Sequence, residues 1–266
     1  LIKCPTKKNQ AEIEYEKLCH LNHQFKGNEW IGTPKVIWLS KKKTALAMEY
    51  LKGESFRELL QNYNEKPRSD SKYLMNLMSR AARTIFEYHN SFGVNVQSMA
   101  KNKEFRETFN NLRDSNILKL SYNLEELKKM LPKKCKVVKS YQDFDPSNLI
   151  IYKGITYLID PPLETETAPI YKDLGIFLYG IWKAGPDPYT IWRYNFRNLP
   201  ALELRFLTSY FRHSNLTLTE EDLLAVKIYQ VYRAVQSIEW YKGWYRDKEL
   251  YKYSKVYVNF LKLLYF

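Results

Sequence analysis

Apolar residues recur along this chain with two periods. Leu74, Leu77, Met78, Ala81, Ile85 and Tyr88 stand at i, i+3, i+4, i+7, i+11 and i+14, which predicts a long amphipathic helix. Within residues 11–21, Glu14, Leu18 and Leu21 share one helical face, so this helix carries a carboxylate among its leucines. Thr219-Glu220-Glu221-Asp222 reads as a helix start, with Ile228, Val231, Tyr232, Val235 and Ile238 as the buried face that follows. Helical patterns also run over residues 122–131 and, through Tyr253, Tyr257, Phe260, Leu261 and Leu264, near the end of the sequence. The apolar run at residues 174–182 is about half the ~18 residues a spanning helix needs, so it reads as core.

Shorter, alternating runs predict strands. Gly32-Thr33-Pro34 turns the chain into Lys35-Val36-Ile37-Trp38-Leu39, and a basic turn over residues 40–43 leads into a second strand over residues 44–51. Gly53-Glu54-Ser55 marks a helix start at Phe56. Leu149-Ile150-Ile151-Tyr152, then Lys153-Gly154, then Ile155-Thr156-Tyr157-Leu158-Ile159 predict a tight hairpin.

Apolar residues make up 45% of the 266, which excludes a disordered chain and supports one large or two modest lobes. Cys4, Cys19 and Cys135 are odd in number and lack C-x-x-C spacing, which argues against a disulfide framework or zinc site and implies a reducing, cytoplasmic setting. No secretory signal is present. The net charge of +13 favours anionic partners, whether acidic or phosphorylated metabolites, nucleic acid or a membrane surface. The basic, aromatic stretch from Tyr241 onward suits a core helix, or peripheral contact with a membrane. No nucleic-acid reading motif is recognisable, which makes nucleic acid the least favoured of these partners.

Candidate chemistry concentrates in residues 141–162, YQDFDPSNLIIYKGITYLIDPP. Pro146 and Ser147 break any helix between Asp143 and Asn148, so both side chains sit on one irregular loop. The hairpin then brings Asp160 back beside Asn148. These residue types suit phosphoryl transfer, in which an Asp accepts or orients the acceptor's hydroxyl proton while an Asn and a second Asp hold magnesium against nucleotide phosphates.

D-x-x-x-x-N followed by a hairpin and an apolar-Asp resembles the catalytic loop and metal-binding Asp of the protein-kinase-like superfamily. The form DF-x-P-x-N…IDP is most similar to its aminoglycoside phosphotransferase and choline kinase branch. Tyr141-Gln142 stand where that branch usually has His-Gly, and Pro161 stands where Phe or Trp is commoner. The segments TPKVI and MEYLKGESFRELL resemble its small-lobe strands, hinge and first large-lobe helix. The resemblance implies an α+β, two-lobed fold, with a small, mainly β lobe and hinge over residues 1–51 and a larger, mainly α lobe over residues 52–266. It implies ATP and Mg2+ as cofactors, Asp143 as the catalytic residue, and Asn148 and Asp160 as metal ligands.

On the same resemblance Lys3 contacts nucleotide phosphates; the carboxylate on an apolar face, Glu14, needs a cation, and Lys3 is the candidate. The backbone of Glu49 and Leu51 would pair with adenine, and Met48 would line the pocket behind it. Asp173-Leu174-Gly175 resembles the family's helix whose Asp braces the catalytic loop, a role compatible with a plain helix N-cap. His89 reads as a capping or packing residue. No G-x-G-x-x-G occurs among the nine glycines, so the first strands and phosphate-covering loop are expected upstream of Leu1. The charged insertion over residues 94–134 and the short path from Asp160 to Asp173 favour small-molecule kinases over protein kinases.

The expected function is therefore an ATP-dependent kinase acting on a hydroxyl of a small molecule, sugar or glycan. Basic residues in the insertion (Lys101, Lys103, Arg106, Lys128, Lys129, Lys133, Lys134) and near the C-terminus (Lys242, Arg246, Lys248, Lys252, Lys255) favour an anionic acceptor. One rival is a catalytically degenerate kinase-like module that binds a partner without turnover, suggested by Tyr141-Gln142 and the missing glycine loop. The other is a basic nucleic-acid-binding protein.

Overall fold

The computed structural model describes residues 1–5, 9–65, 70–114, 128–161, 166–184 and 194–243. Along the chain come β1 (Ile2–Lys3), α1 (Gln10–Gln24), β2 (Ile31–Gly32), β3 (Val36–Leu39), β4 (Leu46–Met48) and β5 (Glu54–Ser55). Then follow α2 (Phe56–Tyr63), α3 (Ser71–Ser91), β6 (Asn95–Ser98), α4 (Lys103–Asp114) and β7 (Lys134–Lys139). The remaining elements are β8 (Leu149–Tyr152), β9 (Ile155–Leu158), β10 (Thr167–Pro169), α5 (Tyr171–Lys183), α6 (Leu199–His213) and α7 (Glu220–Gly243). The helix expected at residues 122–131 falls largely outside the described residues, as does the helical face beyond Gly243.

Two hydrophobic clusters organise these elements. In the smaller, Ala11 and Leu18 of α1 pack on Leu46 and Met48, with Val36 and Leu39 at the margin. Beneath α1 lies an antiparallel sheet in the order β1-β4-β3. The larger cluster centres on α3, α5, α6 and α7, where α5 packs on α7 and α3 packs on α6. Leu21, Phe25 and Ile31 also enter it, so the end of α1 and the strand after it reach across to the helical body. Almost every residue of α5 is buried, as an apolar helix at the centre of a helical body must be.

A second sheet, ordered β2-β9-β8-β5, carries the functional hairpin between these bodies. Leu149 pairs with Leu158 and Tyr152 with Ile155, the register that the alternation predicts. Lys153 and Gly154 take φ of 48° and 80°, the left-handed pair that a two-residue hairpin turn demands. Ser55 caps α2 in a reciprocal box, its hydroxyl accepting from Glu58 N (3.2 Å) and its N–H donating to Glu58 Oε2 (2.7 Å). That bond to Ser55 holds the Glu58 carboxyl below its ordinary pKa. A third sheet, β10-β7-β6, joins β6 of the charged insertion to two strands that follow it, and the sequence pattern alone gave none of the three.

Asp173 does not cap α5. Ile170 precedes the helix in helical conformation without a side-chain cap, and Asp173 sits inside the first turn, pointing at another segment. Near its other end, Gly180 lets α5 approach Pro146 of the functional loop, because a Cβ there would lie 2.3 Å from Pro146 Cδ. Gly180→Ala should therefore push helix and loop apart, lowering unfolding free energy by about 1–3 kcal/mol. A urea titration measures this, and an unchanged midpoint would show that the contact tolerates a methyl group.

Candidate active site

The loop carrying Asp143 hangs on one buried carboxylate. Asp173 is 1% exposed and accepts from Ser140 Oγ (2.8 Å) and Gln142 N (3.0 Å) at Oδ1, and from Tyr141 N (2.9 Å) at Oδ2. His89 Nε2 lies 3.0 Å from the same Oδ2, while its Nδ1 is 2.8 Å from the Tyr210 hydroxyl. With Nε2–H donating to the carboxylate, a neutral ring accepts the Tyr210 hydroxyl proton at Nδ1. His89 is thus a packing residue with a defined task, linking α3 and α6 to the loop brace.

Two sequence departures find their physical meaning here. Gln142 has φ of 64°, a left-handed conformation that glycine adopts without cost and other residues adopt at about 1–2 kcal/mol. Its N–H bonds to Ser140 Oγ and Asp173 are what hold it there. Tyr141 is fully buried, and its hydroxyl donates to the carbonyl of Ile159, the residue before Asp160. Burial pushes this phenol well above its ordinary pKa, so the group remains a donor. One tyrosine thereby ties the start of the loop to the end of the hairpin.

Asp143 lies at the loop's open side, its side chain 51% exposed. Asn148 Nδ2 donates to both the Asp143 carbonyl (2.9 Å) and Oδ2 (3.0 Å), which leaves the Asn148 Oδ1 as the oxygen it can offer a cation. Arg233 of α7 donates from Nη2 to Asp143 Oδ1 at 2.7 Å. Burial raises the Asp143 pKa, and Arg233 and Asn148 act in the opposite direction without cancelling it. Lys183, at the end of α5, has its pKa lowered by burial and by Arg57 and Arg233, although Asp145 and Asp143 pull it upward.

The hairpin delivers Asp160 as the alternation predicts. Ile159 N donates to Asn148 O (3.0 Å), bringing the end of β9 against the start of β8, and Asp160 follows in a left-handed turn with φ of 56°. Its side chain is 57% exposed and its Oδ1 accepts from Lys3 Nζ. Lys3 also pairs with Glu14 Oε1 at 2.7 Å, and Glu14 is 2% exposed on the inner face of α1. Burial works to lower the Lys3 pKa, but its bonds to Asp160 and Glu14 outweigh burial and raise it. The proposed ion pair is thus present, and Lys3 reaches both Glu14 and the residue expected to hold metal.

Met48 and Leu51 are buried, Met48 within the smaller hydrophobic cluster. Glu49 gives its N–H to Lys35 O (2.8 Å), so its carbonyl is the backbone group it can present to a base. Among the described residues no group of three or more His, Cys, Asp or Glu side chains could hold a metal ion. A cation at Asn148 and Asp160 would therefore draw its remaining ligands from phosphate oxygens and water, as magnesium commonly does. No described helix is long and apolar enough to cross a membrane.

Arg106, Lys128, Lys129 and Lys133 border a separate cavity of about 620 Å3. The cavity that opens beside Gln142 and Arg233, about 210 Å3, is of mixed charge. Arg233 was not singled out from sequence, since helical periodicity marks the face of α7 and not which long side chain crosses to a loop 90 residues away.

The hydroxyl of Tyr141 generates a direct test. Tyr141→Phe leaves the Ile159 carbonyl without its donor and should lower unfolding free energy by about 1–3 kcal/mol. Chemical denaturation reads this, and a wild-type curve would mean that the hydroxyl does not hold the Asp160 turn.

No family model matches the chain, and no curated protein matches it. Solved structures do. A choline/ethanolamine kinase family protein from Mesorhizobium loti is similar at a TM-score of 0.56 and 12% identity, over 99% of this chain and 81% of that one. A glucosamine kinase in complex with glucosamine, ADP and inorganic phosphate gives a TM-score of 0.60 at 10% identity, over 99% of this chain and 70% of that one. APH(2")-IIa in its gentamicin complex gives 0.52 at 17% identity, over 97% and 83% respectively. Identities this low speak to fold alone: the chain shares the fold of these three structures, with a small lobe built on a β-sheet and a larger helical lobe.

Proposed function

We propose that this protein is an ATP-dependent phosphotransferase acting on a hydroxyl of a small molecule, sugar or glycan that carries an anionic group. The observation that carries this reading is the joint presentation of Asp143, Asn148 and Asp160 by one braced loop and hairpin, with Lys3 bridging Glu14 and Asp160. In the reaction Asp143 takes the proton of the acceptor hydroxyl, the freed oxygen bonds to the γ-phosphorus, and the bond from that phosphorus to the β–γ bridging oxygen breaks. The electron pair of that bond leaves with ADP. Lys3, anchored by buried Glu14, holds phosphate oxygens, and Asn148 and Asp160 supply an amide oxygen and a carboxylate to magnesium. When bound, magnesium neutralises phosphate charge as it develops. The Glu49 carbonyl and Leu51 N–H meet the adenine edge, with Met48 behind it.

Similarity to a glucosamine kinase that binds glucosamine and ADP supports a polyhydroxyl acceptor and an adenine nucleotide. The anionic character of the acceptor rests on Arg233, since Arg106, Lys128, Lys129 and Lys133 of the insertion border a different cavity.

ADP release across a panel of hydroxyl acceptors tests this function. Asp143→Asn should keep the fold and nucleotide binding while lowering turnover roughly 10²- to 10⁴-fold, the usual worth of a general base. Near-wild-type turnover would remove Asp143 from that role. Asp160→Ala should abolish magnesium-dependent nucleotide binding, because Asn148 alone offers one neutral oxygen to a dication; unchanged magnesium-ATP affinity would contradict the site. For Lys3 and Glu14, substitution of either to Ala should weaken nucleotide use and the double substitution should add little. Additive losses would show that the two act independently.

A further inference from the structure

Arg233 enters the site from α7, the last described helix, and among the described residues its one hydrogen bond goes to Asp143 Oδ1 at 2.7 Å. Its side chain is 33% exposed and borders the 210 Å3 cavity that Gln142, Asn111 and Tyr232 also line. The other charges of that lining are Lys172 and the carboxylates Glu104, Glu107 and Glu166, and each carboxylate has a cation partner of its own outside Arg233. Glu104 accepts from Thr108 Oγ1 (3.0 Å) and the Tyr229 hydroxyl (2.5 Å), and pairs with Lys172 at 3.2 Å. Lys172 also pairs with Glu166 at 2.7 Å, and exposed Glu107 pairs with Lys103 at 3.7 Å. Arg233 is thus the cation of this cavity whose partner is the proposed base itself.

A guanidinium has five N–H donors in a planar fork, and one bond to Asp143 leaves most of them for a second anion. We propose, resting on the phosphotransferase reading above, that Arg233 is the specificity-determining residue for the acceptor. It binds a phosphate or carboxylate group of the acceptor in the cavity beside Gln142, and shares its charge between that group and Asp143. While it serves Asp143 alone it stabilises the carboxylate and makes it a weaker base. An acceptor anion that draws the guanidinium toward the cavity relieves Asp143 at the moment a hydroxyl stands next to it. A neutral acceptor gains neither the ion pair nor the stronger base.

Binding distinguishes this role from a structural pin on Asp143 and needs no turnover. With magnesium and a non-hydrolysable ATP analogue saturating the nucleotide site, calorimetric titrations with glycerol 3-phosphate, glycerate and neutral glycerol compare wild type, Arg233→Gln and Asp143→Asn. Arg233→Gln, a change to a similar helix former at a part-exposed position, should weaken at least one anionic probe tenfold or more and leave glycerol unaffected. The probe that loses affinity identifies the anion as phosphate or carboxylate. Asp143→Asn should bind that probe several-fold more tightly than wild type, because Arg233 is no longer shared. Equal anion affinity in all three proteins, or no anion binding by wild type and Asp143→Asn, overturns the proposal. If the Arg233-dependent pattern holds while no acceptor supports ADP release, the anion site stands and the phosphotransferase reading falls.

Discussion

A carboxylate with almost no solvent contact, Asp173, is the constraint on which the functional half of this fold depends. Taking an ionised group out of water costs several kcal/mol even after relaxation, and only well-directed donors offset it. Asp173 has four: two loop N–H groups, the Ser140 hydroxyl and His89 Nε2. At roughly 1.5–3 kcal/mol for each hydrogen bond to a charged group, four such bonds are enough to hold it. The cost is what gives the arrangement its precision, since any movement of the loop strands a charge in an apolar interior. α3 reaches the brace through His89, α6 through Tyr210, and α5 carries Asp173 itself, so three packed helices fix one loop.

From that loop the geometry propagates outward in short steps. Asp173 holds Tyr141, whose hydroxyl holds the end of β9, while the chain pairing of β8 and β9 sets how far Asp160 stands from Asn148. Lys3 then couples Asp160 to Glu14 on α1, so the smaller hydrophobic cluster is tied to the hairpin by charge. Tyr141 and Gln142, two residues at which the sequence departs from the pattern it resembles, both have a place in this plan. The Tyr141 hydroxyl donates to the Ile159 carbonyl, and two bonds to the Gln142 N–H offset its left-handed backbone.

Much of this was legible because it is local. The hairpin follows from alternation and the Lys153-Gly154 turn, and the Asp143–Asn148 contact follows from two residues on one proline-broken loop. Glu14 was readable as a buried acid because its helical face is otherwise leucine, and an acid there needs a nearby cation. What escaped is what depends on long-range packing. Strands β6 and β7 are short and rich in polar side chains, so neither Asn95–Ser98, inside the charged insertion, nor Lys134–Lys139, at its end, reads as a strand until the two pair with each other. At Asp173 the resemblance implied the loop brace while the local pattern implied only a helix cap; the packed loop shows the brace and no cap. Arg233 is invisible to periodicity for the same reason, as its role is fixed by which loop α7 faces.

Hydrogen exchange at the loop tests the claim that one carboxylate holds the site together. In Asp173→Asn the amide has a single acceptor oxygen, so whichever way it faces, either the Gln142 and Ser140 donors or the Tyr141 N–H meet an NH2 group. Peptides spanning residues 140–148 should then exchange much faster than in the wild-type protein, while peptides from the first half of α3 keep their protection. Wild-type protection across residues 140–148 in the Asp173→Asn protein would contradict the account, since the loop would then be held by something other than Asp173.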